Sequence, residues 1–100
     1  MSGGEDERAR AIALLEATHE FPVEYDISII AINAEMVGIE VRDAVVLGLT
    51  AALPEDAYEN FPSSGGRYLS HRFRVPCRTA DDVLELYARV RRVKGVVTVL

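Results

Sequence analysis

In the stretch VEYDISIIAI, residues 23–32, apolar side chains alternate with polar ones. One set of alternate positions is apolar: Val23, Tyr25, Ile27 and Ile29. The other set is polar: Glu24, Asp26 and Ser28. A repeat of two residues with many β-branched side chains predicts a β-strand that buries one face and leaves the other open.

The residues that follow this strand predict an amphipathic helix. Their apolar members recur at helical spacing: Val37, Val41, Ala44, Val45, Gly48, Leu49 and Ala52. Asn33 is the expected N-cap, because an amide oxygen can accept a hydrogen bond from the first helical turn. The tetrapeptide at residues 53–56, Leu-Pro-Glu-Asp, is expected to end the helix.

The second half of the chain predicts two further strands joined by a turn. Residues 57–62 form a short strand that ends at Pro62, and Tyr68 to Val75 form the next one. The latter again alternates, with His71 among its apolar positions and Arg72 and Arg74 among its polar ones.

A second helix is expected after Thr79, where Asp82 occupies the position needed for a capping-box-like pair. Gly95 is expected to end this helix, and VVTVL, residues 96–100, to form a last strand.

The order of these elements, βαββαβ, predicts an α+β protein with a ferredoxin-like sandwich: a four-stranded antiparallel sheet with two helices on one face. An extra N-terminal helix is expected from Glu5 to about Thr18, after a loose end at residues 1–4. Residues 1–20 are thus interpreted as a tail with a short helix, and residues 21–100 as the domain. In this topology the first and third strands are neighbours, so Glu24 and Asp26 are expected to face Arg72 and Arg74 on the open side.

Composition restricts the class of protein. The 100 residues suffice for one domain, and 49% apolar with 27% charged residues is typical of a globular protein. A net charge of −5 argues against nucleic-acid binding. Cys77 is the single cysteine, which excludes an internal disulfide and fits a reducing cytoplasm. The N-terminal segment has no long apolar run, so we expect no membrane contact and a cytoplasmic protein.

Several motifs resemble the YbeD-like family of small bacterial proteins of unknown function. The matching positions in the second half are Pro62, Ser63, Ser64, Gly66, Tyr68, Ser70, Leu86, Tyr87, Val96, Val99 and Leu100. In the first half they are Phe21, Pro22 and Tyr25. The chain departs from the family pattern at Ala31, where a glycine is usual, and in the segment from Ile32 to Glu55, which is longer than is typical.

The resemblance implies a fold similar to the ACT-type regulatory domains that bind small metabolites. It also implies no established catalytic activity, a suspected regulatory role and a neighbourhood link to lipoate metabolism. We therefore expect a non-catalytic ACT-like regulatory module without a cofactor, which binds a small metabolite or a partner enzyme. The alternative is a protein-interaction adaptor that has no small-molecule ligand.

Two segments are candidates for ligand binding. The first is the strand-to-helix loop with Asn33, Ala34 and Glu35, where helical amides are free to bind a ligand. The second is the turn of Ser63, Ser64, Gly65, Gly66 and Arg67, whose amides can form an anion-binding nest. A plain hairpin turn is the preferred interpretation of the second segment, because Gly and Ser are the usual residues of such connections.

Binding to a partner has two candidate features. The basic cluster of Arg89, Arg91, Arg92 and Lys94 either matches the dipole of the helix C-terminus or forms a docking patch for an acidic partner. The last strand is short, apolar and uncharged, and such an edge favours pairing with another chain. A homodimer formed through an edge strand or an exposed helix is therefore expected.

Other chemistry has little support in the sequence. His71 is expected to be a buried, hydrogen-bonded residue, and His19 lies too far along the chain to suggest a metal site. Cys77 has no pattern of base and orienting partner around it, so we interpret it as a small, partly buried residue. Tyr68 is the one aromatic residue predicted on the open face of the central strands, too few for RNA stacking.

Overall fold

The computed structural model describes residues 3–100 and confirms the predicted order of elements. The helices and strands are α1 (Gly3–Thr18), β1 (Val23–Ile32), α2 (Glu35–Val46), β2 (Tyr58–Pro62), β3 (Tyr68–Cys77), α3 (Ala80–Arg91) and β4 (Val96–Val99). A single 3-10 turn, Glu55–Ala57, precedes β2. The protein is α+β, with a ferredoxin-like βαββαβ arrangement and an added N-terminal helix.

The four strands form one sheet in the order β2-β3-β1-β4. All neighbouring strands are antiparallel, and β1 pairs with β3 without interruption from Val23 opposite Cys77 to Ile32 opposite Tyr68. The predicted pairing of the first and third strands is therefore confirmed.

One of the two expected charge pairs across these strands forms. Asp26 lies opposite Arg74, and an Asp26 oxygen is 3.8 Å from Arg74 Nε. Glu24 instead lies opposite Pro76. Arg72 lies between Ser28 of β1 and Glu59 of β2, so its charged neighbour comes from the hairpin and the expected pair with Glu24 was wrong.

The core lies between the sheet and the helices. The strands supply Ile27, Ile29, Ala31, Phe73, Val75 and Cys77, and the helices supply Val41, Val45, Val83, Leu86 and Val90. Burying one of the larger aliphatic side chains contributes about 1.5–3 kcal/mol, so this set provides the main stabilisation of the fold.

Helix α2 differs from the prediction at both ends. Ala34, not Asn33, is its N-cap, and no side chain caps this end. At the other end α2 stops at Val46 instead of continuing towards Ala52. There Arg89 of α3 donates a 2.9 Å hydrogen bond from Nε to the Ala44 carbonyl, which occupies one of the terminal carbonyls that a helix cannot satisfy internally.

Helix α3 is capped at its N-terminus as expected, but it ends at Arg91 and does not continue to Gly95 as predicted. The Thr79 hydroxyl accepts a 3.2 Å hydrogen bond from the Asp82 N–H. The Asp82 carboxylate in turn accepts a 2.9 Å bond from the N–H of Arg78, one residue before the predicted position. These reciprocal bonds satisfy two backbone donors at the start of the helix.

Helix α1 makes limited contact with the rest of the protein. Its partly buried residues are Ala11, Ile12 and Leu15, whereas Leu14 is exposed. Arg8 forms an exposed ion pair with Asp81 of α3. The predicted loose end was wrong for Gly3 and Gly4, which are helical, and its first two residues lie outside the described part. Within residues 3–100, no helix is both long and apolar enough to cross a membrane.

The turn between α3 and β4 generates a test of the packing. Gly95 has φ +100°, and a Cβ on it would lie 2.9 Å from Val37 Cγ2 of α2. Gly65 has φ +87° with nothing within 4 Å of such a Cβ. Backbone strain alone costs about 1–2 kcal/mol. We therefore expect Gly95→Ala to lower the free energy of urea unfolding more than Gly65→Ala does. Equal losses would contradict the close approach of the turn to α2.

Candidate functional site

Helices α2 and α3 pack on one face of the sheet, α1 lies against α3, and no helix of residues 3–100 covers the other face. The uncovered face presents Asp26, Ser28, Ile30 and Ile32 of β1, because alternate residues of a strand point to opposite faces. Their cross-strand partners on β3 are, in order, Arg74, Arg72, Ser70 and Tyr68. This face is therefore the largest surface of the sheet that is available for binding.

The uncovered face has an apolar end and a charged end. Ile30, Ile32 and Tyr68 lie at the apolar end, and Phe61 of β2 joins them opposite Ser70. At the charged end, Asp26 faces Arg74, and Glu59 of β2 faces Arg72. The polarity thus changes along the strands, near Ser28 and Ser70.

A groove of about 430 Å³ lies at the charged end. Its charged and polar lining residues are Asp26, Ser28, Asp56, Glu59, Arg72 and Arg74. The Arg72 guanidinium lies 4.7 Å from the centre of the Phe61 ring, a cation–π contact that orients it. The pair of Arg74 and Asp26 is exposed, with side chains 51% and 89% accessible, so it adds little stability and its charges remain accessible to a ligand.

The arrangement in the groove suits a ligand that carries both signs of charge. Guanidinium groups bind carboxylates and phosphates through directed hydrogen bonds, and the three carboxylates favour a cation. A groove of this volume also falls in the range of small-molecule sites, roughly 300–1,000 Å³.

The structure brings the two predicted ligand-binding segments together. The Asn33 side-chain amide donates a 2.9 Å hydrogen bond to the Gly66 carbonyl, and the Asn33 N–H donates a 3.0 Å bond to the Arg67 carbonyl. These bonds hold the loop of Asn33, Ala34 and Glu35 against the turn at residues 63–67. The Asn33 amide therefore fastens the turn to the loop, and a ligand role for these residues stays a prediction.

The hairpin between β2 and β3 is closed by the turn of Ser63, Ser64, Gly65 and Gly66, in agreement with the preferred interpretation as a plain hairpin turn. Gly66 N–H donates to the Ser63 carbonyl over 2.8 Å, and Tyr68 N–H donates to the Ser63 hydroxyl over 3.0 Å. Gly65 and Gly66 both have positive φ. The Ser63 N–H also donates to the Tyr68 carbonyl over 2.9 Å, so two amides of the turn, those of Ser63 and Gly66, are engaged within the hairpin.

The basic cluster divides into one inward and three outward residues. Arg89 caps α2 through the Ala44 carbonyl. Arg91, Arg92 and Lys94 are exposed, and the Arg91 guanidinium lies 5.3 Å from the centre of the Tyr87 ring. The outward three therefore form the surface part of the predicted partner site.

His71 is buried and hydrogen-bonded, as expected. Its Nδ1 lies 2.7 Å from the Tyr58 hydroxyl, while Nε2 has no hydrogen-bond partner among the described residues. Burial lowers the pKa of His71, and the guanidinium of Arg42 on α2 stacks over the Tyr58 ring at 4.9 Å. Burial therefore favours the neutral form of the imidazole, which lies beside the phenol of Tyr58.

Cys77 is buried at the end of β3. Burial, with a smaller contribution from Asp82, raises the pKa of its thiol to about 11, and Arg89 opposes this only in part. A raised pKa is the opposite of what an activated nucleophile requires, in agreement with the interpretation of Cys77 as a small residue without a reactive role. The residue is fully buried, however, and not partly buried as predicted. Residues 3–100 also contain no group of three or more His, Cys, Asp or Glu side chains that can hold a metal ion.

Three residues and one contact were missed in the sequence, and Arg72 and Arg74 were expected only as charge partners of Glu24 and Asp26. Asp56 and Glu59 line the groove, Tyr58 is the partner of His71, and the Tyr25 hydroxyl lies 3.1 Å from that of Tyr87. Counting back from the hairpin turn places Glu59 opposite Arg72 and Asn60 opposite His71. The hairpin register could therefore have identified Glu59, whereas the Tyr25–Tyr87 contact has no signal in local sequence.

The comparison with known families confirms the family resemblance that the sequence motifs indicated. The chain is a small two-layer α+β protein whose uncovered sheet face carries a charged groove. It belongs to the family described as protein of unknown function (DUF493), whose model matches residues 16–100, and this is the family of YbeD that the motifs resemble. No curated protein matches the chain.

The buried imidazole predicts a loss of stability in acid. Because burial lowers the pKa of His71, the unfolded chain takes up a proton that the folded chain does not, once the pH falls below about 6.5. We expect the free energy of unfolding to fall between about pH 7 and pH 5, and to fall less in His71→Gln. His19→Gln is the matched control and should keep the wild-type slope. Equal slopes in all three proteins would contradict the assignment to His71.

The thiol of Cys77 predicts low reactivity. A rise of the pKa from its usual 9.0 to about 11 lowers the thiolate fraction near pH 8 roughly a hundredfold. We expect a disulfide reagent to label the native protein at least that much more slowly than the urea-unfolded chain. Fast labelling of the native protein would show an activated cysteine instead.

Proposed function

We propose that this protein is a non-catalytic, ACT-like regulatory module that binds a small zwitterionic metabolite on the uncovered face of its sheet and acts on a partner enzyme. The observation that carries the proposal is the groove in which two guanidinium groups lie among three carboxylates. No residue of the groove needs to react for this function, because occupancy alone changes the surface that a partner meets.

The charge pattern supports a zwitterion over a simple anion or cation. Arg72 and Arg74 are two residues apart on β3 and therefore lie on the same face of the sheet, so both can reach one ligand carboxylate. Asp56, from the 3-10 turn before β2, and Glu59, from β2 itself, supply negative charge for an ammonium group. A ligand with a single charge would leave one set of these groups unmatched.

This site is separate from the loop of Asn33. Asp26 lies in β1 and Asn33 directly follows its end, so seven residues of extended chain, or roughly 20 Å, separate them. Each site therefore has its own test, and loss of binding in Asn33→Ala would support the loop and the turn at residues 63–67 instead of the groove.

Thermal unfolding against a panel of metabolites tests the proposal. The panel contains zwitterionic amino acids, dicarboxylates, amines, nucleotides, lipoate and short fatty acids. A ligand present at a hundredfold its Kd adds about 2.7 kcal/mol to the free energy of unfolding, which raises the Tm by several degrees in a domain of this size. We expect zwitterions to give the largest shift.

The double variant Arg72→Gln with Arg74→Gln is expected to abolish this shift. Arg10→Gln removes a positive charge from exposed α1 and serves as the control that should keep it. A shift that survives in the double variant would overturn the assignment to the groove. A panel without any shift would overturn the ligand itself.

The second candidate function is an adaptor that binds another protein without a small molecule. The exposed residues Arg91, Arg92 and Lys94 favour it, since none of them forms an ion pair within residues 3–100. The expected homodimer belongs to either function and is measured directly by sedimentation of the full chain.

A further inference from the structure

The two edges of the sheet differ in their protection against pairing with another chain. The edge strand β2 carries Glu59 and ends in Pro62, two features that discourage strand addition. The other edge strand, β4, has the sequence VVTV, without charge or proline. The edge at β4 is therefore the one that is open to a further strand.

The hydrogen bonds of β4 show which of its backbone groups are available. Ser28 and Leu100 exchange two bonds: Ser28 N–H donates to the Leu100 carbonyl over 3.2 Å, and Leu100 N–H donates to the Ser28 carbonyl over 2.8 Å. In an antiparallel ladder the adjacent residue then turns its N–H and C=O away from the neighbouring strand. Val99 is that residue, so its backbone donor and acceptor point outward.

A bulge presents a second residue at the same edge. The register moves from Ile30 opposite Thr98 to Ala31 opposite Val96, which leaves Val97 as the extra residue of β4. The Val97 side chain is 58% exposed. The edge strand β4 thus has outward backbone groups at Val99 and carries an exposed apolar side chain at Val97.

A groove of about 250 Å³ runs along this edge, lined by residues 96–99 and by Arg91 of α3. The contact of Arg91 with the Tyr87 ring holds its guanidinium beside the groove. Arg92 and Lys94 are exposed at the same end of α3. The free edge is therefore bordered by positive charge, although the chain as a whole carries −5.

We propose that the β4 edge, together with Arg91, Arg92 and Lys94, binds an extended acidic segment of another protein by strand addition. The backbone of the segment pairs with the outward N–H and C=O of Val99, and its carboxylates pair with the cations of the α3 end. This surface is distinct from the charged groove at Asp26 and does not depend on a metabolite.

Charge favours an acidic segment over a second copy of this chain. Antiparallel pairing of two β4 strands about a two-fold axis would place Arg91 of both copies along the same seam. β4 itself has no carboxylate side chain to offset them, and bringing like charges close together at an interface is unfavourable. An acidic strand brings the opposite charge instead.

The probe is a fluorescein-labelled peptide in which valine alternates with glutamate. Fluorescence anisotropy measures its binding to the full chain at low and at high salt. We expect binding that weakens with salt and that falls at least about tenfold when lysine replaces glutamate or when alternate amides of the peptide are N-methylated. Equal binding of the three peptides would overturn strand addition.

Two variants locate the binding surface. Arg91→Glu should reduce binding at least about tenfold, whereas Arg10→Glu makes the same change of charge on α1 and should not. Val99→Pro removes the outward N–H, and Val99→Ala is its control because it trims the side chain but keeps that N–H. The N-methylated peptide tests the same pairing if Val99→Pro does not fold. Binding unaffected by Arg91→Glu would place the peptide elsewhere.

Hydrogen exchange gives a readout at a single residue. The Val99 amide should exchange fast in the free protein and slow down when the acidic peptide is added. Slow exchange without peptide, together with a dimer in sedimentation, would show that a second copy occupies the edge and would overturn the proposal. The variants Arg72→Gln and Arg74→Gln should leave peptide binding unchanged, so failure here is distinguishable from failure of the metabolite proposal.

Discussion

The uninterrupted antiparallel pairing of β1 with β3 is the constraint on which the rest of the structure depends. It joins the two halves of the chain and places Ile27, Ile29, Phe73 and Val75 under the helices. Because side chains alternate along a strand, a slip of one residue would turn this whole set to solvent. The burial of these side chains therefore specifies the register, and the register in turn brings Asp26 and Arg74 together on the other face.

The same pairing concentrates the binding surfaces at places that the helices do not reach. The helix layer covers one face only, so the charges of the central strands remain accessible on the other. It also leaves β4 at the edge, next to β1 and beside the C-terminal end of α3. Both proposed sites thus arise from residues that the core does not use.

The arginines show how position determines the role of one residue type. Arg89 satisfies a helix terminus and packs over Gly48, Arg72 stacks on Phe61 in the groove, and Arg91 stacks on Tyr87 beside the free edge. Arg89 and Arg91 are two residues apart in α3, which turns their side chains to different sides of the helix. A basic cluster in the sequence therefore does not correspond to one basic patch on the surface.

Local patterns in the chain were sufficient for the order of elements, for the inward position of His71 and for the Thr79 cap, because these depend on residues close in sequence. They were insufficient for Asn33, whose amide binds the distant Gly66 carbonyl instead of capping α2. They were also insufficient for the early end of α2 at Val46, where Arg89 of α3 binds the Ala44 carbonyl. The groove likewise combines β1 with the β2–β3 hairpin. Such contacts join residues far apart along the chain, and only the packed structure brings them within hydrogen-bonding distance.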